Sequence, residues 1–459
     1  MSCIYCFFSK ENQMELKKKC FGNPKYEETL KEYKESYLSE LQKLDYVRNC
    51  NCIDDIENIL NYDKEKRKLC SNYLNNFLDD IKNNIQRIEE YFDNIIDIYD
   101  TYVKNDIHKA YRKMKNFTKD EVNKVNLERG TLPASYSNLM FRVRPKGNYN
   151  NNDIKEYFRI PFDKRFLVGN QRFSLTGRPM IYLASSLQIA LKEIGKNIDE
   201  VNTSIFLPSF SYLHKYYLFN IKNDIIDTLN NIISWVETGS KIKYNNCGYM
   251  DFTLLNPLLN SIFYNILTFP TQYKYKGTFI QEYVLPQLLM DILNYHRINY
   301  AGIEYKSTKE YKWKIKDNKK HELEANYCFF IPYSENSNYN EKFLSKFFSY
   351  CDTSRIISMN ELDSAIRKLE VINRELQNEG YNNSDTGLHL ISISRHINNM
   401  IRYKGNNYYR RTKEGKIERT LIYGLINNII NHVNYLKNNG LIKKINPNDY
   451  INNINILNS

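Results

Sequence analysis

The spacing of apolar residues changes character at Phe141, and that change limits what the chain can fold into more than any other feature. Before it, stretches such as LNNFLDDIKNNIQRIEEYFDNIIDIYDTYV place apolar side chains three and four positions apart with charges between them, the period of an amphipathic helix. From Phe141, FRVRP alternates as a strand does, and Pro145, which has no N–H to give a ladder, ends it. RPMIYLA, INYAGIEYKST and ANYCFFIPY share the β-branched and aromatic composition of strands. The region from about 200 to 295 reads as helix-rich and apolar, and helical spacing returns after YSENSNYN (333–340). One segment, IRYKGNNYYRRTKEGKIERTLIYG, interrupts that last run, and its Gly-Asn and Glu-Gly pairs predict a small hairpin. The predicted class is therefore α+β. A helical region covers 1–128, a mixed centre 129–340, and a mainly helical region with the hairpin 341–459; ERGTLPASYSNL (128–139) marks the first boundary with Gly, Pro and Ser.

With 459 residues, 42% of them hydrophobic, the chain is long enough for two or three domains and apolar enough to bury a core. Asn, Ile, Lys and Tyr are used heavily, as AT-rich codons would dictate, so the net charge of +12 reads as scattered Lys. No long Lys/Arg block accompanies it, and nucleic acid is not an expected partner. No uninterrupted apolar run approaches the ~18–20 residues that span a bilayer. The nearest, FTLLNPLLNSIFYNILTF, is broken by Asn and Pro, and MSCIYCFFSK is too short and polar for a signal peptide. These features predict a cytoplasmic protein with reduced thiols and no membrane association. Six of the nine Cys fall in the first 70 residues. Cys3-x-x-Cys6 has the spacing of half a zinc knuckle, whereas Cys50-x-Cys52 is tighter than the usual second half. Cys3, Cys6, Cys50 and Cys52 are the candidate zinc ligands, weighed against buried or incidental thiols.

The densest chemistry lies in QRFSLTGRPMIYLASSLQIALKE (171–193), a strand–turn–helix pattern. Ser185 with Gln188 three positions on forms a capping-box pattern, and Gly195 closes the helix. Leu187, Ala190, Leu191 and Ile194 share one face, with Glu193 at its margin. Arg172 precedes the turn at Gly177 and Tyr182 lies on the strand, so a guanidinium, a ring and a carboxylate can meet at one end of the unit. A core Tyr with a surface Glu and a surface Arg fits the same spacing.

These residues resemble the signature of the RES-domain family, bacterial toxins that destroy NAD. The family's Arg, Tyr and Glu stand about ten and eleven positions apart, as Arg172, Tyr182 and Glu193 do here, with Gly177 and Ala184 at its small positions. Gln171 departs from the Gly that usually precedes that Arg. LMFRVRP resembles the opening strand, with Arg142 at its Arg position. FIQEYVLPQLLMDILNYHRINYAGIEYKST resembles the closing segment, with Pro286-Gln287 and Ser307, and Asn326 matches the Asn before the last strand. The resemblance covers 139 to about 332 and implies a fold related to ADP-ribosyltransferases. It implies cleavage of the nicotinamide–ribose bond of NAD+ as substrate: Glu193 stabilises the oxocarbenium ion, Tyr182 stacks on the ribose or nicotinamide, Arg142 and Arg172 hold the pyrophosphate or ribose, and Ser307 orients. Water as acceptor makes the enzyme an NAD+ glycohydrolase, phosphate an NAD+ phosphorylase, and a protein side chain an ADP-ribosyltransferase; a non-catalytic nucleotide- or partner-binding module is the reading from another class.

Large RES-like proteins carry a Cys-bearing helical N-terminal region related to HEPN domains. HEPN ribonucleases use Arg-x₄₋₆-His, and none of the seven His here has an Arg at that spacing upstream, which argues against RNase activity. His389 and His396 read as satisfied core or surface side chains. Small RES toxins are restrained by a separate antitoxin. The flanks of this longer chain are expected to gate the pocket, hold a homo-oligomer, or sense a trigger such as phage infection.

Overall fold

The computed structural model describes residues 3–44, 64–119, 139–147, 150, 152–174, 177–209, 217–221, 225, 229, 255–272, 279–295, 300–307, 325–335, 337–381, 384–401, 403–404 and 407–442. It has the expected α+β character, and the chain divides into two compact units that interleave along the sequence. The first comprises 1–130, 169–176 and 220–296, and the second 131–168, 177–219 and 297–459. The boundary segment 128–138 lies outside the described residues.

The first unit is built on helices. Ile85–Val103 buries Ile88, Phe92, Ile95, Ile96 and Tyr99, the three- and four-residue spacing read from the sequence. Aromatic rings fill its core: Tyr33 meets Tyr37, Phe92 and Phe269 edge-on at centroid distances of 5.7, 5.9 and 5.4 Å. Lys17 Nζ donates to Asn265 Oδ1 at 2.9 Å and lies 5.9 Å from the centre of the Phe269 ring.

The second unit is organised by seven strands: β1 (Met140–Pro145), β2 (Ile181–Ala184), β3 (Val201–Pro208), β4 (Tyr217–Ile221), β5 (Tyr300–Lys306), β6 (Ala325–Phe329) and β7 (Phe347–Tyr350), in the order β4-β5-β6-β2-β1-β3-β7. Every pair from β5 through β7 is antiparallel. One face carries Met140, Ile181, Leu183, Phe206, Tyr327 and Phe329. The other carries Phe141, Val143, Ala184, Ile205 and Leu207. That second face packs on the helices Leu187–Ile194, Met359–Asn378 and Lys413–Asn438, so residues beyond 341 share one core with the sheet.

Three elements differ from the sequence reading. β3 and β4 fall where helix was expected after 200. β3 is buried on both faces, so VNTSIFLP shows no alternation for a period argument to detect. β7 falls where the spacing predicts helix, four residues being too few to show any period. The predicted hairpin survives only as Tyr403–Lys404 paired with Asn407–Tyr408. The Glu414-Gly415 pair is no turn: Thr412 Oγ1 accepts from Gly415 N at 3.1 Å and caps the 26-residue helix Lys413–Asn438. A side chain at Gly415 would collide with the Tyr409 carbonyl, which is why a glycine opens that helix. Among the described residues, no helix is long and apolar enough to cross a membrane.

Candidate active site

Glu193 is the penultimate residue of the Leu187–Ile194 helix. The cap of that helix is Ser186, whose Oγ accepts from Ile189 N at 3.3 Å, and not Ser185 as the capping-box pattern suggested. Ser185 serves the sheet: its Oγ accepts from Ala325 N at 3.0 Å and its N–H donates to Ala325 O at 2.8 Å, tying the end of β2 to β6. Gly195 closes the helix at φ 66°, a left-handed conformation that suits glycine. Leu187, Ile189, Ala190 and Leu191 are buried, each large apolar side chain contributing about 1.5–3 kcal/mol. Ile194, expected on the buried face, is 40% exposed, because the last turn runs past the edge of the core. That overhang leaves Glu193 exposed to solvent. Ser186→Ala is expected to cost about 1 kcal/mol by orphaning a first-turn N–H, and a urea titration of the purified chain checks it.

On the sheet side, Glu193 Oε1 accepts from Ser307 Oγ at 2.7 Å and from Asn326 Nδ2 at 2.6 Å. Ser307 and Asn326 are 2% and 3% exposed, so two buried donors aim at one oxygen of an exposed carboxylate. Among the described residues, Oε2 takes no hydrogen bond from another side chain. Asn326 stands opposite Ala184 across the β2–β6 ladder, and Tyr182 stands opposite Cys328 on the same face. Tyr182 is half-buried, its side chain against the Cys328 thiol, which burial pushes well above the ordinary cysteine range. Cys328 is therefore a protonated packing partner with little thiolate character.

The arginines are placed differently. Arg142 alternates with Phe141 and so starts from the other face of the sheet. β1 and β2 share a single paired position, Phe141↔Ala184, and Arg142 Nη1 donates to Tyr182 O at 3.2 Å where the ladder stops. Burial, with Arg144 nearby, lowers its guanidinium to about 10, which still leaves it charged at neutral pH. Arg172 belongs to the first unit. There its Nη1 donates to Leu267 O at 3.2 Å and its guanidinium lies 4.8 Å from the centre of the Tyr283 ring. Gln287 holds the same loop by donating to Asn170 Oδ1, Gln171 O and Ser174 O. Glu193, Ser307 and Asn326 thus meet, with Tyr182 on the same sheet face; Arg142 touches Tyr182 through a main-chain carbonyl.

Of the cysteines, Cys3 caps the Ile4–Phe8 helix, its Sγ accepting from Cys6 N at 3.3 Å, while Cys50 and Cys52 lie outside the described residues. No group of three or more His, Cys, Asp or Glu able to hold a metal occurs among the described residues. His389 and His396 are buried and satisfied, on Pro208 O at 3.3 Å and on Glu418 Oε2 at 2.9 Å. Sequence reasoning missed Glu418. Its signal is a carboxylate on the stripe that continues through Leu421, Leu425 and Ile429, a charge where the helix faces the core.

The site is thus a carboxylate at a helix terminus, fixed by a Ser just past the end of β5 and an Asn on β6, in an α+β unit. Compared with known proteins, 237 residues of the chain are 26% identical to "Putative toxin YopC" of Bacillus subtilis (strain 168). The match covers 49% of this chain and 50% of that protein, so the chain spans about half the length of the curated relative it matches. No family model matches the chain. No solved structure matches it.

Proposed function

We propose that this chain is a RES-type enzyme that cleaves the nicotinamide–ribose bond of NAD+, a toxin-like effector that depletes NAD+ for growth arrest or anti-phage defence. One observation carries the reading: Ser307 and Asn326, 114 and 133 positions from Glu193 and from separate motif segments, both donate to its Oε1. The relative named a toxin supports the biological half.

The chemistry needs little else. Nicotinamide departs with both electrons of its bond to C1′ and leaves as a neutral base, so no strong general acid is required. The positive charge passes to the ribose as an oxocarbenium ion, and a fixed carboxylate beside C1′ lowers that barrier. With Oε1 tethered twice, Oε2 of Glu193 is the oxygen that faces the ribose. Tyr182 offers a ring edge or face to hold the reactive conformer. Arg142 gives recognition of the pyrophosphate or ribose. Water as acceptor yields ADP-ribose and is our first choice; phosphate or a protein side chain are the alternative acceptors. The sheet is proposed to be ADP-ribosyltransferase-like. An antitoxin or phage-derived trigger, a homo-oligomeric assembly and zinc at the N-terminal cysteines complete the proposal.

Bacteria expressing the wild-type chain should lose most of their NAD+ pool, and a Ser307→Ala/Asn326→Ala double variant should lose it about tenfold or more slowly. A stable NAD+ pool in cells that make folded wild-type protein counts against the reading.

A further inference from the structure

The helix that carries Glu193 is held at its other end by a second, fully buried carboxylate. Glu418, on the Lys413–Asn438 helix, is 0% exposed. Its Oε1 accepts from Leu187 N at 2.6 Å and from the Tyr409 hydroxyl at 2.6 Å, and its Oε2 meets His396 Nε2 at 2.9 Å. The His396 ring in turn packs on Phe141 of β1, with ring centres 5.1 Å apart. Leu187 is the first residue of the helix, so its N–H is one of those that no helical carbonyl can satisfy. A carboxylate there completes that bond and complements the positive end of the helix dipole.

A buried carboxylate is an expensive way to finish a helix, and an apolar side chain of similar volume is often as stable. Leu421, Ile422 and Leu425, which follow Glu418 on the same helix, are fully buried in an apolar core that could take one. What the carboxylate adds is direction. The Leu187–Ile194 helix has eight residues, about 12 Å of rigid rod. Its N-terminal bond to Glu418 and the bonds of Glu193 to Ser307 and Asn326 lie at opposite ends of that rod. Ser307 follows β5 directly and Asn326 lies on β6, two strands paired through their own ladder.

We propose that Glu418 is a positioning residue for Glu193: it sets the seat of the helix N-terminus and thereby the place of the Glu193 carboxylate against the sheet. The inference rests on the reading of Glu193 as the ribose-facing group. It makes the C-terminal helices part of the catalytic apparatus, although none of their residues needs to touch NAD+.

The test uses the purified full-length chain with Glu418→Gln, which keeps an acceptor oxygen, and Glu418→Leu, which fills the volume without one. Two quantities are measured: kcat and KM for NAD+, and amide hydrogen exchange over 187–195 and over β5 and β6. In Glu418→Leu, exchange over 187–195 should rise ~10-fold or more with the strands unchanged. Its kcat should fall ~10–100-fold with KM within ~3-fold, since a displaced group costs the transition state more than binding. Glu418→Gln should fall between it and wild type, and it keeps the test alive if Glu418→Leu does not fold. Wild-type kcat with wild-type exchange in a folded variant overturns the proposal, as does exchange that rises equally across the strands, or a KM effect without a kcat effect. If the wild-type chain does not consume NAD+, that failure belongs to the proposed function alone. The exchange comparison then still decides whether Glu418 seats the helix, and unchanged exchange over 187–195 overturns it.

Discussion

Purified Glu193→Gln protein is expected to turn over NAD+ about 10³-fold more slowly than wild type, with KM little changed. The substitution keeps the shape of the side chain and an oxygen at the position of Oε1. Ser307 Oγ and Asn326 Nδ2 can donate to that carbonyl as they do to the carboxylate, so the local structure has no reason to move. What disappears is the negative charge opposite the developing oxocarbenium ion, an interaction made in the transition state and nearly absent in the ground state. Loss of such a term lowers kcat and leaves substrate binding alone. Because Glu193 is exposed and lies in the last turn of its helix, the change should leave the thermal midpoint where it was. Release of nicotinamide, followed by chromatography, reads the effect; a variant that keeps wild-type kcat removes Glu193 from the chemistry.

The largest effect on stability is expected from Gly302→Ala. Gly302 lies on β5 opposite Phe329 of β6, and a Cβ built on it would stand 2.1 Å from Cys328 O and 2.8 Å from Phe329 Cα. Both obstacles are backbone atoms of the neighbouring strand, so no rotamer change relieves the clash and the two strands must part. Overpacking of this kind costs about 3 kcal/mol, which for a unit of this size lowers the thermal midpoint by roughly 10 °C. β6 carries Asn326 and β5 leads to Ser307, so the surviving folded fraction should also have lost activity. Calorimetry of the purified variant measures the shift; an unchanged midpoint would mean that β5 and β6 are not in this close register.

The contrast between these two positions shows what the sequence made legible. The strand–turn–helix run was readable because each part announces itself: Gly177 and Gly195 both take positive φ, and Leu187, Ala190 and Leu191 repeat with the helical period. The meeting of Glu193 with Ser307 and Asn326 could not come from spacing, because it spans more than a hundred residues; the family resemblance put those residues on one list and the sheet order puts them in contact. β3 escaped because a strand buried on both faces has no alternation to read, and β7 because it is too short to show a period. The choice of Ser186 over Ser185 as cap depends on Ala325 claiming Ser185, a tertiary contact that no local pattern encodes. Glu418 was overlooked for a related reason. A Glu in a helix rich in Lys and Asn reads as solvated until the partners that bury it, His396, Tyr409 and the N–H of Leu187, are seen around it.

Incubation of the purified chain with NAD+ in ¹⁸O-labelled water, with the products weighed by mass spectrometry, puts the central claim to its most direct test. Nicotinamide together with ADP-ribose carrying one ¹⁸O is the result that a water-using Glu193 site predicts. NAD+ recovered intact at neutral pH, with folded protein present, would contradict it.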